Sequence, residues 1–254
     1  MSGKQHLGSS IQIDLLAGLG LSLFAFVVYL ITLAPTVLPA DAGEFQFVPW
    51  LPGIAHPTGY PLYTLVGWLW THLFPMGEVA WRMNLLSAIF AAITVGLTYS
   101  VARQILNKTW PETPLFARIL AATISAGAFA VTHTFWSQAI IAEVYALHAL
   151  FVVLILWLAL LTGSDVDLNS WRAKLLTLTF GLGLTHHSTT ILLLPAIIAF
   201  LFASYRQNNS TPPLPPPGGR IKLACTHVGL FIAPLLLYLY LPLVAPSKES
   251  ECPI

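Results

Sequence analysis

Two short polar runs follow the first apolar span of the chain: Asp41-Ala42-Gly43-Glu44, then His56-Pro57-Thr58-Gly59-Tyr60-Pro61-Leu62-Tyr63. Only 8% of the residues are charged, so two carboxylates and a histidine this close together are the first place to look for proton transfer. Asp41 and Glu44 are three residues apart and would share one face of a helical turn. Either could take the proton from a substrate hydroxyl while the other supports it. The same pair could instead be an acidic first turn that offsets a helix dipole. Around His56, two prolines and a glycine make a stiff, turned backbone that holds His56 and Tyr60 in fixed directions, as binding loops often do. Stiffness of this kind would also serve packing alone.

Further along, Arg82 lies in Val79-Ala80-Trp81-Arg82-Met83-Asn84 at the start of a second apolar run. An arginine at a membrane boundary can grip a phosphate through paired hydrogen bonds, or it can snorkel to headgroups. Gln138, Glu143 and Tyr145 fall in or beside the turn between two later runs. A charge such as Glu143 at the top of an apolar helix needs a partner or a ligand, and Arg82 is the partner expected, whether for structure or for chemistry. His186-His187 could join a carboxylate around a divalent metal. Adjacent histidines point in different directions, however, and no second histidine at i, i+4 supports a metal site. Hydrogen bonding to a phosphate or sugar suits the pair better, and burial in the core is the alternative. Glycine-rich phosphate loops, a Ser-His-Asp order and paired-cysteine motifs are all missing, so no soluble cofactor class is supported.

The elements that must position these residues are membrane helices. The chain is 56% hydrophobic with a mean hydropathy of +0.77, far from soluble composition. A bilayer offers no hydrogen-bond partners, so long apolar runs can cross it only as helices, and the expected fold is an all-α polytopic bundle. Seven spans are expected: Ile13–Leu33, Val79–Leu106, Leu115–His133, Ile140–Leu161, Ala173–Thr185, Thr189–Tyr205 and Lys222–Val244. The pair joined at His186-His187 could also be one broken helix. The apolar core of the first run exceeds the ~7–15 residues of a signal peptide, so a retained anchor is expected. Residues 34–78 form an outer first loop. Within it Gly59–Phe74, rich in Trp and Tyr, reads as a helix lying at the interface.

Orientation follows from the basic residues. With the N-terminus in the cytoplasm, nine of the eleven lysines and arginines fall inside, leaving Arg82 and Lys248 outside. Every candidate named above then maps to the outer face, the expected setting being a bacterial inner membrane with the site towards the periplasm. Residues 206–221 read as a proline-rich cytoplasmic linker. The sequons at Asn107, Asn208 and Asn209 lie on the inner side, out of reach of glycosylation. Cys225 and Cys252 have no metal-ligand spacing, and the net charge of +1 excludes a nucleic-acid partner.

The order of several motifs closely resembles one membrane family. Thr32-Leu33-Ala34-Pro35-Thr36-Val37, Asp41-Ala42-Gly43-Glu44-Phe45, the His56–Tyr63 run and Arg82-Met83-Asn84-Leu85-Leu86-Ser87-Ala88 come first. Phe135-Trp136-Ser137-Gln138-Ala139, Ala142-Glu143-Val144-Tyr145-Ala146-Leu147, His186-His187 and Tyr240-Leu241-Pro242 follow in the same order. Together they resemble the protein O-mannosyltransferase-like branch of the GT-C glycosyltransferases, over the first module of about seven spans. The resemblance implies an inverting transfer of a sugar such as mannose from a polyprenyl-phosphate carrier to a protein or other hydroxyl acceptor at the outer face. It assigns the base to Asp41, with Glu44 as the nearby alternative, and a donor pocket to Arg82, Glu143 and His186-His187. It requires no cofactor and leaves room for a divalent metal. Membrane lipid is an implied partner. A catalytically silent GT-C-like subunit within a larger membrane complex is the competing reading. A small transporter is a third, disfavoured because the polar residues gather at one face.

Overall fold

The computed structural model describes residues 2–164, 167–207 and 216–249, all of whose regular elements are helical. The sequons at Asn208 and Asn209, Cys252 and most of the proline-rich run lie outside these residues. Helices on either side run into the expected linker, one ending at Gln207 and the next starting at Pro217.

The centre of the bundle is α4 (Val79–Thr109), whose 31 residues rise ~46 Å at 1.5 Å each, more than the ~30 Å of a bilayer core. The first helix, α1 (Ser2–Ile31), lies against it through small side chains. A Cβ on Gly96 would sit 2.1 Å from Ser22 Oγ and 2.9 Å from the Gly18 carbonyl. Such close approach is what replaces the hydrophobic effect between helices in lipid. On its other sides α4 meets α5 (Leu115–Ala130) and α7 (Val144–Thr162), with Ala88, Ala91, Ala122 and Ala126 fully buried between them.

Among the described residues, five helical stretches are long and apolar enough to cross a membrane, and a sixth appears if α5 is joined to α6 (His133–Ala139) across a 65° bend. Seven were expected. The third ends at Ala130 because the chain turns there: Thr132 extends, its hydroxyl donates to the Phe129 carbonyl, and the Phe129 ring lies against Phe135, tilted by 35° with ring centroids 4.2 Å apart. The fourth starts at Val144, four residues late, because the Asn84 side chain takes the Ala142 N–H and draws that segment onto α4. Glu143 is consequently the N-cap of α7, outside the helix, where its carboxylate accepts from the Val144 N–H. The fifth, α8 (Trp171–His186), has 16 residues and rises only ~24 Å.

Beyond α8, a 3-10 turn (Ser188–Leu193) leads into α9 (Leu194–Gln207). A long rod then returns as α10 (Pro217–Ile232), a 3-10 segment (Ala233–Leu239) and α11 (Tyr240–Glu249). Cys225 is exposed in the middle of α10. The start of α11 rests against the loop that follows α1, where Tyr240 donates to the Gly53 carbonyl and Leu241 packs on Gly59. That loop carries α2 (Ala40–Phe47) and α3 (Pro61–Leu73). One face of α3 buries Tyr63, Thr64 and Thr71 while Leu69 and Leu73 stay exposed.

Candidate active site

The site gathers where the C-terminal end of α1, the loop that follows it, and the starts of α4 and α7 meet the end of α8. Its base is a buried amide network. Asn84, fully buried on α4, donates to the Ala34 carbonyl at 2.8 Å. Its Oδ1 accepts from Gln46 Nε2 at 2.9 Å and from the Ala142 N–H at 2.8 Å. Gln46 in turn accepts from the Leu38 N–H at 3.0 Å. Buried polar groups must be paired, so this network sets α2 and the residues before Glu143 at one height on α4. Neither Asn84 nor Gln46 was singled out from the sequence for this role. Asn84 could have been, as an amide inside an apolar span.

On that base α2 presents Asp41 and Glu44 as expected. Gly43 permits the geometry, since a Cβ there would lie 2.2 Å from the Leu38 carbonyl. The two carboxylates have different surroundings. Both oxygens of Glu44 are committed to His56: Oε1 accepts the His56 backbone N–H at 2.7 Å, and Oε2 lies 2.8 Å from Nδ1. That hydrogen bond raises the His56 pKa, against the opposing effect of burial. Asp41 is exposed and has no hydrogen-bond partner among the described residues. Asp41, Glu44 and His56 offer donor atoms within 4.8 Å of one another, close enough for a cation. The commitment of Glu44 to His56 leaves Asp41 as the one open oxygen donor, a poor cage for a divalent ion.

A continuous aromatic and imidazole wall extends from His56. Its ring lies 5.6 Å from that of Tyr60, which is 6.3 Å from His186 and 6.2 Å from His187. Tyr60 caps the start of α3 in a left-handed conformation (φ 42°) after Gly59 (φ 83°), which turns its ring into the site. Burial raises the Tyr60 hydroxyl above its usual range. Tyr145 lies 6.3 Å from His187. His186 is fully buried and bonds through Nε2 to the Val144 carbonyl at 2.9 Å, so it supports the Glu143 turn from behind. His187, half-buried, has its pKa lowered by burial. Glu143 is raised by burial and, further, by the charge of Asp41, with the Val144 N–H opposing.

His148 belongs to this wall and was missed from the sequence. It stacks on His187 with centroids 4.5 Å apart, and its Nε2 lies 3.2 Å from Thr189 Oγ1. A histidine within a membrane helix was the available signal.

Two expected members sit elsewhere. Gln138 lies in α6, beside an apolar groove of about 600 Å³ between α5, α6 and α7, which Phe129, Phe135, Tyr145, His148 and Val152 also line. Arg82 does not pair with Glu143. Its Nη1 donates to the carbonyls of Thr71 and Phe74, the latter at 2.9 Å, and its guanidinium lies 5.4 Å from the Trp50 ring centre. The last carbonyls of a helix lack intrahelical donors and carry the negative end of its dipole. Arg82 satisfies both needs at the end of α3.

Residues 41–211 match the family model described as the protein O-mannosyl-transferase TMEM260 N-terminal domain. The chain is 34% identical over 228 residues to the mouse protein O-mannosyl-transferase TMEM260, covering 87% of this chain and 29% of that protein. It is 25% identical over 196 residues to the Dictyostelium discoideum protein O-mannosyl-transferase tmem260, covering 72% of this chain and 23% of that protein. The chain therefore spans less than a third of the length of these relatives. Both come from eukaryotes and lend no support to a bacterial inner membrane. No solved structure matches the chain. A multi-pass helical bundle with its polar residues drawn to one end, matched over two thirds of its length and in the motifs that build that end, belongs to the TMEM260 N-terminal domain family.

Proposed function

We propose that this chain carries the catalytic end of a membrane mannosyltransferase, which moves mannose from a polyprenyl-phosphate carrier to a protein hydroxyl. The single observation that supports it most directly is the open Asp41 carboxylate, set beside the Glu44–His56 pair and the Tyr60 wall. The names of the two relatives supply the sugar and the acceptor class.

In this reading Asp41 accepts the proton of the acceptor hydroxyl as its oxygen attacks the anomeric carbon. The bond from that carbon to the carrier phosphate breaks, and the phosphate leaves with the electron pair. Placement of base and leaving group before reaction supplies much of the rate. The donor's apolar tail lies along the groove between α5 and α7, whose Tyr145 and His148 also belong to the imidazole wall. The site faces away from the basic loops, on the luminal or periplasmic side, with the N-terminus in the cytoplasm.

The test is transfer of mannose to a protein acceptor by the full-length protein in lipid. Asp41→Asn is expected to lower the rate about 100- to 10,000-fold, the range of a general base, with insertion and thermal stability unchanged. Retained transfer in that variant would remove Asp41 as the base.

A further inference from the structure

The transfer just proposed creates negative charge on the departing phosphate, and some group must meet it. Arg82, the cation expected for that task, is buried, and its Nη1 is held by the Thr71 and Phe74 carbonyls at the end of α3. Apart from the Phe45 ring at 5.2 Å, the groups facing His56 are acidic or phenolic: Asp41 and Glu44 from α2, Tyr60 at the start of α3 and Glu143 at the start of α7. His56 is the one cation-forming side chain among them.

We infer that His56, clamped by Glu44, is the catalytic group on the phosphate side of the transfer, an inference that rests on the mannosyl-phosphate reading above. Glu44 holds both the backbone N–H and the Nδ1 side of His56. This selects the tautomer with hydrogen on Nδ1 and directs the opposite ring nitrogen, Nε2, away from Glu44. Nε2 has no hydrogen-bond partner among the described residues. The side chain is 36% exposed, so the nitrogen is open to a ligand. In the protonated ring Nε2–H donates to a phosphate oxygen of the bound diester. As the sugar–oxygen bond breaks, the phosphate gains the electron pair and takes up that proton, while Asp41 holds the proton from the acceptor. Charge is balanced across the two carboxylate-flanked groups without any further reactant. Glu44 is thereby a positioning residue: it touches neither substrate, and it keeps His56 both oriented and charged. The hydrogen bond to Glu44 raises the His56 pKa, the direction that favours the protonated ring.

A phosphodiester makes the cleanest probe, because its single charge does not change across the histidine range. Binding of a polyprenyl methyl phosphate to the full chain in nanodiscs is measured from about pH 5.5 to 8.5, spanning the ordinary histidine pKa. Wild-type affinity is expected to fall roughly tenfold as pH rises through the His56 pKa, a loss of about 1.4 kcal/mol. His56→Gln is expected to bind weakly at every pH. Glu44→Gln is expected to keep the transition but move it to lower pH, a shift that a merely structural role would not produce. If the wild type binds the diester with no pH transition, or His56→Gln binds as the wild type does at acid pH, His56 does not meet the phosphate, and the mannosyl-phosphate reading stands without it. If the wild type binds no diester at any pH, both fall. Binding abolished by a chelator and restored by a divalent ion would give the phosphate-side role to a metal and overturn the assignment to His56.

Discussion

Asp41 and Glu44 look equivalent in sequence, three apart on one turn, and their surroundings separate them. Glu44 is bound at both oxygens by His56, whereas Asp41 faces outward with its oxygens open. Hydrogen bonding alone thus separates the carboxylate proposed as the base from the one that holds His56. Arg82 carries the opposite lesson, since a charge that reads as a phosphate ligand turns out to complete a helix end. Each carbonyl left unpaired by Arg82→Ala is expected to cost about 1–3 kcal/mol, read as a lower thermal unfolding midpoint in detergent. Phosphodiester binding by the folded fraction should survive. Lost binding at unchanged stability would return Arg82 to the donor pocket. For His56 the sign of the pH effect is set by its raised pKa. The stabilising pairing with Glu44 is complete below the ordinary value of 6.5, and it is lost as pH rises through the higher folded value.

Among the elements, α4 does most of the positioning. Its Asn84 sets α2 and the start of α7 by donating to one backbone carbonyl and accepting from two N–H donors. Asn84→Leu keeps the volume and removes every one of these bonds. It is expected to destabilise by about 1–3 kcal/mol for each buried group left unpaired and to lower transfer further by releasing Asp41 from its place. Thermal unfolding and transfer rates measured on the same preparation check both. Unchanged stability would show that the network is replaceable. The bend at Val131-Thr132 and the delayed start of α7 belong to this scale too. Both lie inside apolar runs that satisfy any simple hydropathy rule, and at both a side chain takes a backbone group, Thr132 Oγ1 donating to the Phe129 carbonyl and Asn84 Oδ1 accepting the Ala142 N–H. Helix existence was legible in composition, while these interruptions depend on residues distant in sequence.

Across the whole molecule, the polar residues of the site collect at one end and the basic residues at the other. Arg103, Lys108, Arg118, Lys174, Arg206 and Lys222 lie near the ends of helices away from the site. In sealed vesicles with Cys225 and Cys252 replaced by alanine, Met76→Cys is expected to react with an impermeant maleimide only from the non-cytoplasmic side. Lys222→Cys is expected to react only from the other. The same side for both would overturn the topology. The sequence by itself determined the class of fold, an all-α bundle of apolar helices, because hydropathy acts locally on each segment as it meets lipid and water. It also named most of the wall, His56, Tyr60, Tyr145, His186 and His187, and the neighbouring Glu143. Only the tertiary structure decided which of these touch, that Glu44 serves His56, that Arg82 serves α3, and that His148 joins the wall. Those outcomes depend on competition among distant donors and acceptors for the same few buried partners, and that competition is resolved only when the helices pack.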